Sequence, residues 1–148
     1  MSMSMEEMSD RLEIQDLMTR YSYAIDFHDW DALDDVFSED ALIDYTVFGG
    51  PAGDRASTKR FLAESLGTTF VGYQHMVSGT TIEFHPDGTA DARTQCLNPM
   101  AIGDADDPMV LFASLWYVDK LVRTADGWRI RERVEHQVFL RRFDTSPL

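Results

Sequence analysis

The chain of 148 residues has one cysteine, a shortage of positive charge and no long apolar run. One cysteine, Cys96, cannot form an internal disulfide, and it excludes a cysteine-based zinc site. Cys96 falls in a predicted strand, where it reads as a small buried hydrophobe rather than a nucleophile. Lys and Arg number 13 against 26 Asp and Glu, a formal net charge of −13. That balance argues strongly against nucleic acid, whose phosphates need a basic footprint. It also disfavours anionic membranes and highly anionic substrates. No apolar stretch reaches the ~18 residues needed to span a bilayer. The start, MSMSMEEMSD, lacks the basic and apolar regions of a signal peptide, so the expectation is a soluble cytoplasmic protein.

Motifs of several chemistries are absent too. There is no HExxH, no HxH and no facial-triad spacing for a metal. No GxSxG nucleophile elbow occurs. FGGPAG lacks the lysine and helix-entry spacing of a phosphate loop. The expected chemistry therefore uses no metal or other cofactor. No repeat, low-complexity tract or linker interrupts the chain, and its length suits one domain over 1–148. A 44% hydrophobic composition can supply a core.

The pattern present is helices first, strands afterwards. Ser4 and Glu7 fit a capping box. Ile14, Leu17, Met18, Tyr21, Ala24 and Ile25 then form one apolar stripe at helical spacing. DWDALDDVF predicts a short second helix and ALIDYTV a strand. Asp54 caps a third helix, RASTKRFLAESL, ended by Gly67. From Tyr73 onward the period changes to that of long strands, joined by the turns HPDG (85–88) and TADG (124–127). Strict alternation on the last strand puts Glu132, Val134, His136 and Val138 inward and Arg129, Arg131 and Arg133 outward. The fold class is α+β. Three N-terminal helices on a strongly curved, mixed but mostly antiparallel sheet close into a cone-shaped barrel with a blind apolar cavity, a usual form for a small-molecule site.

The stretch GYQHMVSGTTIEF poses the functional question. Read as one strand, it places His75 mid-strand on a face with Tyr73 and Val77. His75 is either a satisfied structural histidine or a base in a pocket, since its ordinary pKa suits proton transfer near neutrality. A base of this kind needs a carboxylate on its second nitrogen to fix the tautomer and stabilise the imidazolium. Asp26, by the helical wheel alone, lies ~100° off the apolar stripe and reads as a solvated helix-end acid. Tyr21 is equally a core tyrosine or a substrate-polarising donor. Asn98, Glu132 and His136 are candidate cavity residues; His28 and His85 fall in loops.

The segments IQDLMTRYSYAIDFHDWDALDDVFSEDALIDY, YSYAID and QHMVSGT resemble the SnoaL-like family of the nuclear-transport-factor-2-like superfamily, in particular scytalone dehydratase, bile acid 7α-dehydratase and hexachlorocyclohexane dehydrochlorinase. The order of elements matches over nearly the whole chain. The resemblance implies His75 as general base, Asp26 as its orienting partner and Tyr21 as a catalytic tyrosine. The second histidine of scytalone dehydratase would fall near Met100, beside Asn98, and its asparagine near Ala113, so this pocket differs. Met100 is carried as a substrate-binding candidate with Asn98, Glu132 and His136. The related dehydratases are trimeric, and Trp116, Val110 and Phe112 share one outer strand phase, so a homo-oligomer is expected, a trimer before a dimer.

The function that follows is a cofactor-independent lyase of dehydratase type. It would act on a small apolar, aromatic or polycyclic molecule. The alternatives are a binding module without turnover, and an isomerase or polyketide cyclase using the same pocket. The fold hosts many chemistries, so the site has to decide.

Overall fold

A computed structural model describes residues 2–144. Helix α1 spans Met5–Asp26. The Ser4 hydroxyl accepts the Glu7 N–H at 3.1 Å, which satisfies one of the orphan donors of the first turn. Glu7 does not complete the box; its carboxylate takes the Arg11 guanidinium at 2.8 Å instead. The apolar stripe is buried as its spacing requires, with Ile14, Leu17 and Ile25 fully inaccessible. Each such side chain contributes roughly 1.5–3 kcal/mol by leaving water. Past the end of α1 the chain turns sharply, and His28 takes a left-handed φ of 59°. The exposed His28 ring is held there by stacking on Trp30 and Tyr73.

The predicted second helix is a 3-10 turn, Asp31–Asp35, rather than an α-helix. Only Leu33 of its residues is buried, too little apolar surface to hold a longer element. Strand β1 (Phe37–Asp44) follows, then a 3-10 turn (Thr46–Phe48) and a short strand β2 (Ala52–Asp54). Helix α2 covers Arg55–Thr69, capped by Asp54, whose carboxylate accepts the Ser57 N–H at 2.7 Å. It does not end at Gly67. The buried row Thr58, Leu62, Leu66 continues four residues on to Phe70, which packs on the core. A glycine inside a helix costs only about 1 kcal/mol relative to alanine, less than that row supplies.

Strands β3 (Phe70–Tyr73), β4 (Met76–Phe84), β5 (Thr89–Asp104), β6 (Asp107–Thr124) and β7 (Gly127–Asp144) complete one seven-stranded sheet. Its order is β2-β1-β7-β6-β5-β3, with β4 also paired to β5. β1 lies parallel to β7 and every other pairing is antiparallel. The sheet curls around α1 and α2, and the core lies between.

The expected single strand over residues 73–84 is two strands. Register places Gln74 opposite Pro99 and His75 opposite Asn98, between the pairs Tyr73–Met100 and Met76–Leu97. Pro99 has no N–H to donate, so the ladder cannot close there. Gln74 donates to the Pro99 carbonyl at 3.2 Å, and the pairing then breaks. A second irregularity follows between Ser78 and Thr81, where β4 carries one extra residue against β5. Gly79 makes that bulge at φ 56°, a conformation a side chain would resist. Beyond it the inward phase is Thr80, Ile82 and Phe84 rather than Thr81 and Glu83.

β7 carries two such bulges. Lys120 pairs with Glu132 and Leu121 with Ile130, leaving Arg131 over; Ser114 pairs with Phe139 and Leu115 with Gln137, leaving Val138 over. Each extra residue reverses which side chains face the cone.

Candidate active site

The break at Gln74–His75 sets His75 free of the sheet ladder. Its backbone N–H turns to the Asp26 carboxylate, at 2.9 Å from Oδ2 and 3.1 Å from Oδ1. Its ring Nδ1 lies 2.7 Å from Asp26 Oδ1. The carboxylate is thus held by main chain and side chain of one residue, which removes its freedom to rotate away. Both side chains are withdrawn from water, at 7% exposure for His75 and 17% for Asp26. The helical wheel pointed Asp26 outward because it treats the helix as endless. Asp26 is the last helical residue, and the strand break brings donors to it there. Tyr73 fastens the same corner by donating its hydroxyl to the Ile25 carbonyl at 3.1 Å.

The other ring nitrogen, Nε2, lies 3.1 Å from Asn98 Nδ2. This follows from register, since Asn98 sits directly opposite His75 on β5. An Nδ1–H given to Asp26 leaves Nε2 unprotonated, so Asn98 donates to it; this tautomer and amide orientation are the set that satisfies the network. The Asn98 carbonyl oxygen is buried and has no hydrogen-bond partner among the described residues.

His75 and Asn98 line a cavity of about 320 Å³ inside the cone. Its walls are mostly apolar: Phe48, Phe61, Leu62, Leu66, Phe70, Met100, Leu111, Ala113 and Leu115. Met100, a candidate from the sequence, is one of these wall residues. Tyr21 is also in the wall, its ring edge-on to His75 at 6.3 Å between centroids. Its hydroxyl shares a 2.7 Å hydrogen bond with that of Tyr45. Burial pushes the Tyr21 phenol up to about 12 and that of Tyr45 well above its ordinary value, so both stay neutral donors near neutral pH.

Glu132 and His136 do not enter the cavity. The bulge at Arg131 turns both to the outer face, where Glu132 pairs with Lys120 at 2.8 Å and His136 lies exposed opposite Trp116. Arg133, expected outside, is instead fully buried. It holds the equally buried Asp119 through two bonds of 2.7 Å, with its guanidinium 4.1 Å from the ring centroids of both Tyr21 and Tyr117. Glu135 follows it in phase and lines the cavity. The sequence did hold a signal for this. An unbulged hairpin over TADG would set Lys120 against Arg131 and Asp119 against Glu132, two like-charge pairs. One extra residue turns both into opposite-charge pairs.

Two further groups fall outside any chemistry. Cys96 is buried, and burial pushes its thiol up to about 12, so it forms no thiolate near neutrality. Asp10 joins α1 to β6 and β7 by accepting from Arg123 and from the Trp128 indole. Among the described residues no group of three or more His, Cys, Asp or Glu could hold a metal ion. No described helix is long and apolar enough to cross a membrane.

A curled mixed sheet closed by two helices over such a cavity defines a cone of the nuclear-transport-factor-2-like class. The chain belongs to the SnoaL-like domain family, whose model matches residues 6–134. Among curated proteins it is 47% identical over 137 residues to the uncharacterized proteins Rv2910c of Mycobacterium tuberculosis and Mb2934c of Mycobacterium bovis, covering 93% of this chain and 91% of each relative. Among solved structures it is similar to the Kfla4162 protein of Kribbella flavida, with TM-score 0.81 and 23% identity over 91% of this chain and 95% of that one. A provisionally assigned scytalone dehydratase of Novosphingobium aromaticivorans matches with TM-score 0.77 and 23% identity, over 95% and 91% of the two chains. A hexachlorocyclohexane dehydrochlorinase of Novosphingobium barchaimii matches with TM-score 0.80 and 14% identity, over 96% and 97%. At these identities the structural likeness shows the fold.

Proposed function

We propose that the chain is a lyase of dehydratase type, acting on a small, largely apolar carbonyl compound by proton abstraction and elimination. The observation that carries this is the Asp26–His75–Asn98 chain at the wall of an apolar cavity. Asp26 accepts the Nδ1–H and so leaves the lone pair on Nε2, the nitrogen on the Asn98 side. Substrate displaces the Asn98 amide from Nε2, and His75 takes a proton from the carbon next to the carbonyl. The carboxylate stabilises the imidazolium that forms, as in triad enzymes without the nucleophile. The paired Tyr21 and Tyr45 hydroxyls supply a neutral donor for the carbonyl oxygen as it gains charge. The leaving group then departs. An isomerase or cyclase would use the same first step with a different second one.

A binding module is the other reading, and one observation favours it: both ring nitrogens of His75 already have protein partners, Asp26 and Asn98. Proton exchange separates the two. Simple β-hydroxy ketones are incubated with the protein in D₂O, and deuterium uptake at the α-carbon and alkene formation are followed by NMR. The lyase reading expects both, absent in His75→Ala. A ketone that binds and neither exchanges nor eliminates would favour the binding module.

A further inference from the structure

The proposed lyase has a base but no assigned acid, and hydroxide leaves carbon poorly without a proton. Glu135 stands on β7, separated in the sheet from His75 by β5 and β6. Both residues line the same cavity. The groups that act on Glu135 come from every neighbouring element. Arg133 draws it toward ionisation, but Arg133 is already neutralised by two bonds to Asp119. Asp44 opposes ionisation from β1. Tyr117, directly opposite on β6, and Tyr21, Tyr45 and Cys96 are buried and neutral, and each is influenced by the Glu135 charge. Among the described residues no side chain donates a hydrogen bond to its carboxyl. Burial pushes this carboxyl up to about 8, so it carries a proton at neutral pH. Glu135 also lies one residue beyond the stretch that the family model matches, so that match assigns it no role.

Resting on the lyase reading above, we propose that Glu135 is the general acid of this site and that the substrate is a β-hydroxy carbonyl compound. His75 Nε2 takes the α-proton, and the electron pair of that C–H bond forms the C=C bond. The C–O bond to the β-hydroxyl breaks with its electrons on oxygen, and the Glu135 proton completes water. His75 then carries the proton that Glu135 has lost, and exchange through the water released restores both. Two titratable groups set apart across one cavity, one able to take a proton and one holding one, form the usual acid–base arrangement.

The test compares 4-hydroxy-4-phenylbutan-2-one with its 4-chloro counterpart, which needs no proton on the leaving group. Glu135→Gln keeps shape and an N–H donor but cannot give up a proton. The expected result is a ~10²–10⁴-fold loss with the hydroxy ketone and a chloro ketone rate close to wild type, with His75→Ala losing both. Equal loss on the two substrates, or none on either, overturns the acid role and leaves the lyase reading standing. Wild type that binds both ketones and eliminates neither overturns the lyase reading and the acid with it. A second measurement needs no substrate: the infrared difference between wild type and Glu135→Gln at pH 7 should contain the carbonyl band of a protonated carboxyl. An ionised carboxylate there overturns the proposal.

Discussion

Arg133 and Asp119 face each other at one register position of β6 and β7, both fully buried, joined by two hydrogen bonds of 2.7 Å. Two charges in such a place are stable only together. Removing one leaves the other without water or counter-charge, at about 3–5 kcal/mol. Asp119→Ala should lower the unfolding free energy by that amount in a urea titration. The double change Asp119→Leu with Arg133→Met should lose far less than the two single losses combined, because no uncompensated charge remains. Additive losses would show that the pair is not coupled.

Asp26→Asn tests how the imidazole is held. In the wild type, ¹⁵N NMR of His75 should report one tautomer, with the proton on Nδ1 and Nε2 bare. The amide can present either its oxygen or its NH₂ group to the ring, so the variant should show a mixture. Turnover should fall by at least ~10²-fold. The loss should not add to that of His75→Ala, since the two residues act as one unit. A wild type already divided between tautomers would remove Asp26 from its orienting role.

The pH dependence of stability tests Glu135 without any substrate. Its carboxyl is raised from 4.5 to about 8 on folding, chiefly by burial. Between those values the native state binds more protons than the unfolded chain, so this group's contribution falls as pH rises through that window. It is fully present below about 4.5 and lost above about 8. Glu135→Gln removes the titration. The variant should therefore melt higher than wild type at pH 9, by several degrees, and close to it at pH 5. Parallel melting curves at both values would mean that Glu135 titrates in its ordinary range.

The outer sheet face bears on assembly. Phe112 and Phe143 meet edge to face at 5.4 Å, and Val138 and Phe139 are exposed beside them. An apolar face of this kind marks an interface. We expect an oligomer, a trimer before a dimer, by light scattering at micromolar concentration, and Phe112→Glu should shift it toward monomer. A wild-type monomer would refute this.

Much of this architecture is local and was legible in the sequence. A capping serine and a 3.6-residue stripe determined α1, because helical spacing and a hydrogen-bonded cap act within a few residues. Asp54 likewise determined where α2 begins. HPDG and TADG determined the β4–β5 and β6–β7 hairpins, since the turns demand glycine at left-handed positions, as Gly88 and Gly127 show. His75, Asp26 and Tyr21 were named from their segments. Strand phase is different. Alternation is reliable only between bulges, and a bulge belongs to the pairing of two strands rather than to one. Only the tertiary structure decided that Arg133 and Glu135 face inward while Glu132 and His136 face water. It alone placed the ladder break opposite Pro99, which frees the His75 N–H and brings the last residue of α1 to the histidine ring. Those contacts join residues 49 apart in the chain, and no local propensity reaches that far.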